Sequence, residues 1–170
     1  MSLKDRFLDL PLVGKTRRVH AIEHATITLL SQRHPNTSMA GRSNSRGFWF
    51  YGDIDEKELV ATTKEAIAKL QGQPTLAIHP NCGTNMAVSG VMTGAAAFLA
   101  SLPWHANDRK IDRLPRAIIA ATFAALFSQP AGLAVQKGYT TSPAVEGLTV
   151  GKVKQKSRAG RRMAFVEIQG

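Results

Sequence analysis

The sequence predicts an α+β fold: a small domain of helices and antiparallel strands with an inserted apolar helical hairpin. Three observations carry this expectation. Residues 71–107 contain no Asp, Glu, Lys or Arg, and residues 117–136 are equally free of them. At about 1.5 Å per residue, each run is long enough as a helix to cross a hydrocarbon layer of roughly 30 Å. Helical and extended patterns alternate outside these runs. With 44% hydrophobic and 20% charged residues the chain can build a core, and its one cysteine excludes an intramolecular disulfide framework or a CxxC zinc ribbon. The expected organisation is an α+β domain from residues 1–84 and 138–170, with the hairpin at 85–137 as two transmembrane helices.

Along the chain, the apolar patch 7–13 is broken by Asp9 and Pro11 and does not read as a secretory signal. Thr16 is the candidate N-cap of a helix over 16–32, and His34, Pro35 and Asn36 form the breaker behind it. Residues 37–42 and 47–54 read as strands, the second carrying Phe48, Trp49, Phe50 and Tyr51, with a turn at 43–45. Asp55 caps a second helix to Leu70, whose stripe is Leu59, Ala66, Ile67 and Leu70, and Gly72 is its stop signal. A short strand is expected at 75–78. The second apolar run is interrupted at Ser128, Gln129 and Pro130, and strands at 148–156 and 163–168 flank a basic turn at 157–160.

The apolar runs point to membrane lipid as a partner, with a multi-pass location of two helices. Gly90 and Gly94 have the GxxxG spacing that lets helices approach closely, so their face suits a membrane-protein partner or a homo-oligomer. Trp104 stands where an interfacial aromatic belongs. Both runs are richer in Ala and Gly than in Leu and Ile, which keeps open a buried hairpin in a soluble protein. Positive charge flanks both runs, so loop charge assigns no orientation. The 22 Lys and Arg against 12 Asp and Glu are spread along the chain, and only residues 137–170, with seven against two, are strongly biased. No aromatic residues alternate with those charges as a single-strand stacking platform requires, so nucleic acid is not expected as a partner.

Chemistry concentrates in two motifs. His20, Glu23 and His24 form HxxEH, which on a helix sets two imidazoles one turn apart with a carboxylate alongside. Such a pair can chelate a metal ion, and Glu23 can take a proton from water at the metal, as inverse zincins do. The alternative is a pair of ordinary helix histidines with Glu23 as a local hydrogen-bond partner. The second motif is HPNCGT at 79–84, where His79 and Cys82 offer a nitrogen and a sulfur that suit zinc or a similar divalent transition metal. The alternative there is that Pro80 and Gly83 shape the backbone, His79 caps a strand and Cys82 is a small buried side chain at a helix start. His34 and His105 read as surface residues without partners. Arg17 and Arg18 are the nearest candidates to stabilise an oxyanion.

HxxEH followed by HPxCGT and an immediate apolar helix resembles a group of small bacterial membrane proteins of unknown function, described as metal-dependent enzymes. The resemblance runs from about residue 18 to residue 99. It implies metal binding at His20, His24 and His79, together with Cys82, and a catalytic role for Glu23. It implies no substrate. This chain departs from the group at Ala25 and Thr26, where a Lys commonly follows EH, and in having only two short apolar runs. The function expected is that of a membrane-anchored, zinc-dependent hydrolase. The alternative is a non-catalytic membrane subunit or assembly factor with a structural metal. Ligand count separates the two, since four protein donors close a tetrahedral site and three leave a position for water.

Overall fold

The computed structural model describes residues 3–105, 108–158 and 161–170. The chain divides into two compact units, one of Met1–His79 with Lys137–Gly170 and one of Pro80–Gln136.

The first unit opens with a short helix α1 (Leu3–Leu8) and a long helix α2 (Pro11–Arg33). Helix α2 starts five residues before the expected Thr16 because Pro11 occupies its first turn, where a missing N–H costs nothing. Thr16 lies inside the helix, its hydroxyl donating to the Leu12 carbonyl at 2.7 Å. Strands β1 (Ala40–Asn44) and β2 (Gly47–Tyr51) form a hairpin in which Asn44 pairs with Gly47. The turn therefore falls at Ser45 and Arg46, one residue later than expected, and Asn44 Oδ1 accepts from the Arg46 amide at 2.8 Å. Helix α3 (Glu56–Gly72) is capped as expected, with Asp55 Oδ2 accepting from the Lys57 amide at 2.9 Å.

The expected strand at 75–78 is instead a 3-10 turn over Pro74–Ala77. Proline presets φ at its start, and Leu76 and Ile78 donate their amides locally to Gln73 and Thr75 rather than to a sheet. Strands β3 (Thr149–Arg158) and β4 (Arg161–Gln169) complete the first unit. Both run further toward the turn than expected, whose residues 159 and 160 lie outside the described residues.

The four strands form one antiparallel sheet in the order β1-β2-β4-β3. Alternation sends Phe48, Phe50, Val166 and Ile168 into the core and Trp49, Tyr51 and Phe165 to the other face. Val19, Ile22 and Leu30 of α2 and Leu59, Ala66 and Leu70 of α3 complete that core, all essentially inaccessible to solvent. Each large apolar side chain buried this way contributes about 1.5–3 kcal/mol. Among the described elements helix α2 contributes the most buried residues, so its inner face is held by the core.

The second unit pairs helix α4 (Gly83–Ser101) with helix α5 (Lys110–Val135), and a π-helical turn over Gln136–Thr140 leads from it back into the first unit. They run antiparallel. Gln136 Nε2 donates to Asn85 Oδ1 at 2.6 Å, Ser128 Oγ to Ser89 Oγ at 3.0 Å, and Arg116 Nη2 to the Leu102 carbonyl at 3.4 Å. Pro130 does not interrupt α5, because the contacts of Ser128 and Gly132 on either side hold it against α4. The close approach is not at the GxxxG pair. A Cβ added at Gly90 or Gly94 would meet nothing within 4 Å, whereas one at Gly132 would lie 3.0 Å from Asn85 Cα.

Among the described residues one helix, Lys110–Thr140, is long and apolar enough to cross a membrane. Only 11% of its apolar window is buried, unlike the core helix of a soluble protein. Helix α4 falls short of that measure because Asn85, Ser89, Thr84, Thr93 and three glycines dilute it. The expectation of two spans is thus supported for α5 alone.

Asp108 organises the segment before α5. Its Oδ2 accepts from the Trp104 amide at 3.0 Å and from Arg116 Nη2 at 2.7 Å, and Arg116 lies over the Trp104 ring at 4.8 Å. The Trp104 N–H, then the Arg116 guanidinium, hold the Asp108 carboxyl below the ordinary aspartate range. A depressed folded pKa gives stability that is present above the unfolded value and lost as pH falls through the folded one. In a Trp49→Phe background, acidification below the usual aspartate range is therefore expected to shift Trp104 emission. An identical acid shift in Asp108→Asn would refute this account.

Candidate metal centre

Two of the four predicted donors stand on the buried stretch of α2. His20 and His24 lie one turn apart with ring centroids 4.2 Å from each other, at an interplanar angle of 63°. Their orientation comes from backbone carbonyls outside the helix. Nδ1 of His20 lies 2.9 Å from the Thr140 carbonyl oxygen, and Nδ1 of His24 lies 2.7 Å from that of Ala77. A carbonyl only accepts, so each Nδ1 carries a hydrogen, and in the neutral ring the lone pair is on Nε2. This is the orienting hydrogen bond that metal-ligating histidines typically make.

The 3-10 turn thus presents the Ala77 carbonyl to His24. A second strap does the same for His20. Beside the Thr140 contact, Ser142 donates its amide to the Arg17 carbonyl at 3.1 Å, and Arg17 Nη2 donates to the Thr141 carbonyl at 3.2 Å. Arg17, a candidate for oxyanion stabilisation, therefore anchors this strap. No signal in the sequence marks a backbone carbonyl, so neither orienting contact was legible there.

His79 stands at the end of the 3-10 segment, with its ring centroid 5.8 Å from that of His24. Cys82, three residues on, is buried and caps α4, its Sγ accepting from the Thr84 amide at 3.4 Å. The ligand atoms of His20, His24 and Cys82 all lie within 4.8 Å of one another, and this group could hold a metal ion. Tetrahedral zinc with the usual bond lengths sets its donors about 3.3–3.6 Å apart. Two imidazoles and a thiol form a donor set suited to zinc or a neighbouring transition metal. His79 is beside this trio and is not part of it.

Glu23 is 4% exposed and lies against β1 at Gly41. A Cβ at Gly41 would come within 2.7 Å of Glu23 Cδ and Cγ, and closer still to Oε1. The glycine is what admits the carboxylate, and a glycine inside a strand pattern is the one sequence signal that pointed to such a close approach. His34, expected to lack a partner, has Nε2 2.8 Å from Glu58 Oε1. That pair ties the end of α2 to α3.

A family profile described as a domain of unknown function, DUF6391, matches residues 15–153. The chain belongs to the DUF6391 family. The match includes both motifs, and what it establishes is a family of unknown function. An uncharacterized protein of Picosynechococcus sp. is 35% identical over 97 residues, covering 49% of this chain and 47% of that protein. The chain thus spans about half the length of the curated relative it matches. No solved structure matches.

Proposed function

We propose that this DUF6391 chain is a membrane-anchored metal-binding protein of the zinc-dependent hydrolase type. His20, His24 and Cys82 hold the metal, and Glu23 serves as the proton acceptor. The observation that carries the reading is the pair of Nδ1 contacts to the Ala77 and Thr140 carbonyls, which put the lone pair of each neutral ring on Nε2, in a group whose ligand atoms lie within 4.8 Å of one another. Three donors leave a fourth position, which in catalytic zinc sites belongs to water or substrate. Zinc bound there supplies Lewis acidity toward a carbonyl or water oxygen. Glu23, held on the same helix, accepts the proton, while His79 beside His24 binds or orients a substrate group.

Membrane anchoring rests on α5 and extends, in this proposal, to α4. Phe98, Leu99 and Val91 of α4 are as exposed as Ile118, Phe123 and Leu126 of α5, so the pair presents apolar side chains outward over both helices. A second reading, a non-catalytic membrane subunit, is favoured by the open space beside Gly90 and Gly94, which suits a partner helix.

Elemental mass spectrometry on protein purified without chelator tests the metal. About one equivalent of transition metal is expected in the wild type and in His79→Ala, and little in Cys82→Ser. Serine caps a helix at least as well as cysteine, so α4 keeps its start in that variant. Metal lost on His79→Ala would indicate a closed, structural site, and absence from the wild type would overturn the proposal.

A further inference from the structure

The face of the sheet turned away from the core has no role in the metal site, and the fold assembles there a pattern that the linear sequence conceals. Antiparallel register sets Arg42 opposite Trp49, Trp49 opposite Phe165, and Phe165 opposite Lys154. One row across all four strands therefore reads cation, aromatic, aromatic, cation. The two rings are half-buried, with centroids 5.1 Å apart and a tilt of 54°. In the next row Tyr51, Met163 and Lys156 are aligned, and Lys156 Nζ lies 5.7 Å from the Trp49 ring centroid. Trp49, Phe165, Lys154 and Lys156 border a groove of about 550 Å³, with Lys152 and Arg46 also on its rim and Glu167 as its acidic member.

We infer that this sheet face binds single-stranded nucleic acid. The absence of aromatic residues among the C-terminal lysines argued against such a ligand in the sequence. The sheet supplies the missing rings from β2 and β4, while β3 supplies the lysines. Bases stack on aromatic faces whatever their identity, and flanking cations track the phosphates. At strand spacings of about 4.8 Å the row spans about 14 Å, room for two or three stacked bases. A flat anionic bilayer fits less well. Half-buried rings in a groove do not protrude as interfacial aromatics must. This inference is independent of the metal.

The test uses the full chain in dodecyl maltoside micelles and a labelled twelve-nucleotide oligo-dT, followed by fluorescence anisotropy. Saturable binding is expected at 50 mM salt. With three phosphates neutralised, affinity falls roughly 20-fold on going to 200 mM. Trp49→Leu and Phe165→Leu each weaken binding by roughly fivefold or more, since leucine keeps the apolar bulk but has no π face. Lys154→Gln flattens the salt dependence, and Lys64→Gln on α3 changes nothing. Chelator leaves binding intact, which separates this inference from the metal proposal. No anisotropy change at 50 mM salt would overturn it. So would equal affinity in both folded leucine variants, which indicates a charge contact alone. A Trp49 emission shift with phosphatidylglycerol in the micelles, and none with the oligonucleotide, would assign the face to lipid.

Discussion

Replacing His24 with alanine is expected to strip the protein of its metal and to lower its thermal stability even when no metal is present. The two losses have separate causes. Outer-shell changes around metal ligands typically cost 10–100-fold in affinity, so deletion of a direct donor should cost about 100-fold or more. Independently, the imidazole is 3% exposed and donates to the Ala77 carbonyl. Its removal leaves that acceptor without this donor and opens a cavity beside α2, at a combined cost of about 2–4 kcal/mol. For a chain of this size that is roughly 5–15 °C in Tm. Calorimetry with and without chelator measures both, with Cys82→Ser as the comparison. The serine variant should lose metal yet match the chelated wild type in Tm. Metal retained by His24→Ala would remove His24 from the ligand set.

Gly41→Ala should displace a carboxylate from a strand it does not belong to. The added methyl would occupy the space of the Glu23 side chain, which is buried and has little room to retreat. Overpacking of this kind costs about 1–3 kcal/mol. Metal content should not change, because neither residue is a donor. Any hydrolysis that depends on Glu23 should fall by about 10²–10⁴-fold, the usual contribution of a general base. A double-mutant cycle isolates the contact. Glu23→Asp shortens the side chain by one methylene, so the double variant should be more stable than the sum of the single effects. Strict additivity of the two changes would show that Gly41 and Glu23 do not share this space.

The helices were legible where local chemistry decides. Asp55 announced α3 because its carboxylate satisfies an amide that the helix itself leaves open. The aromatic run 48–51 announced β2, since alternate large side chains fit a pleated surface with one buried face. Expectations failed where a single proline outweighed the pattern around it. Pro11 moved the start of α2 back from Thr16, and Pro74 turned the apolar segment 75–78 into a 3-10 turn. In α5 the reverse held, and Pro130 was overruled by the contacts of Ser128 and Gly132. The GxxxG spacing was visible, but spacing alone does not say which face of a helix meets its neighbour.

By itself the sequence determined the α+β class, the position of the apolar helices and the chemical identity of the candidate donors. These depend on residue type and on periodicities of two and 3.6, which are local properties. Only the tertiary structure shows that His20, His24 and Cys82 form a group that could hold a metal ion, with the His79 ring 5.8 Å from that of His24. It alone revealed the Ala77 and Thr140 carbonyls that orient the imidazoles, the glycine that seats Glu23, and the row of rings and cations across the sheet. The physical reason is the same in each case. A backbone carbonyl has no sequence identity, and contacts between residues 53 or 120 positions apart exist only once a core has fixed the distances between the elements that carry them.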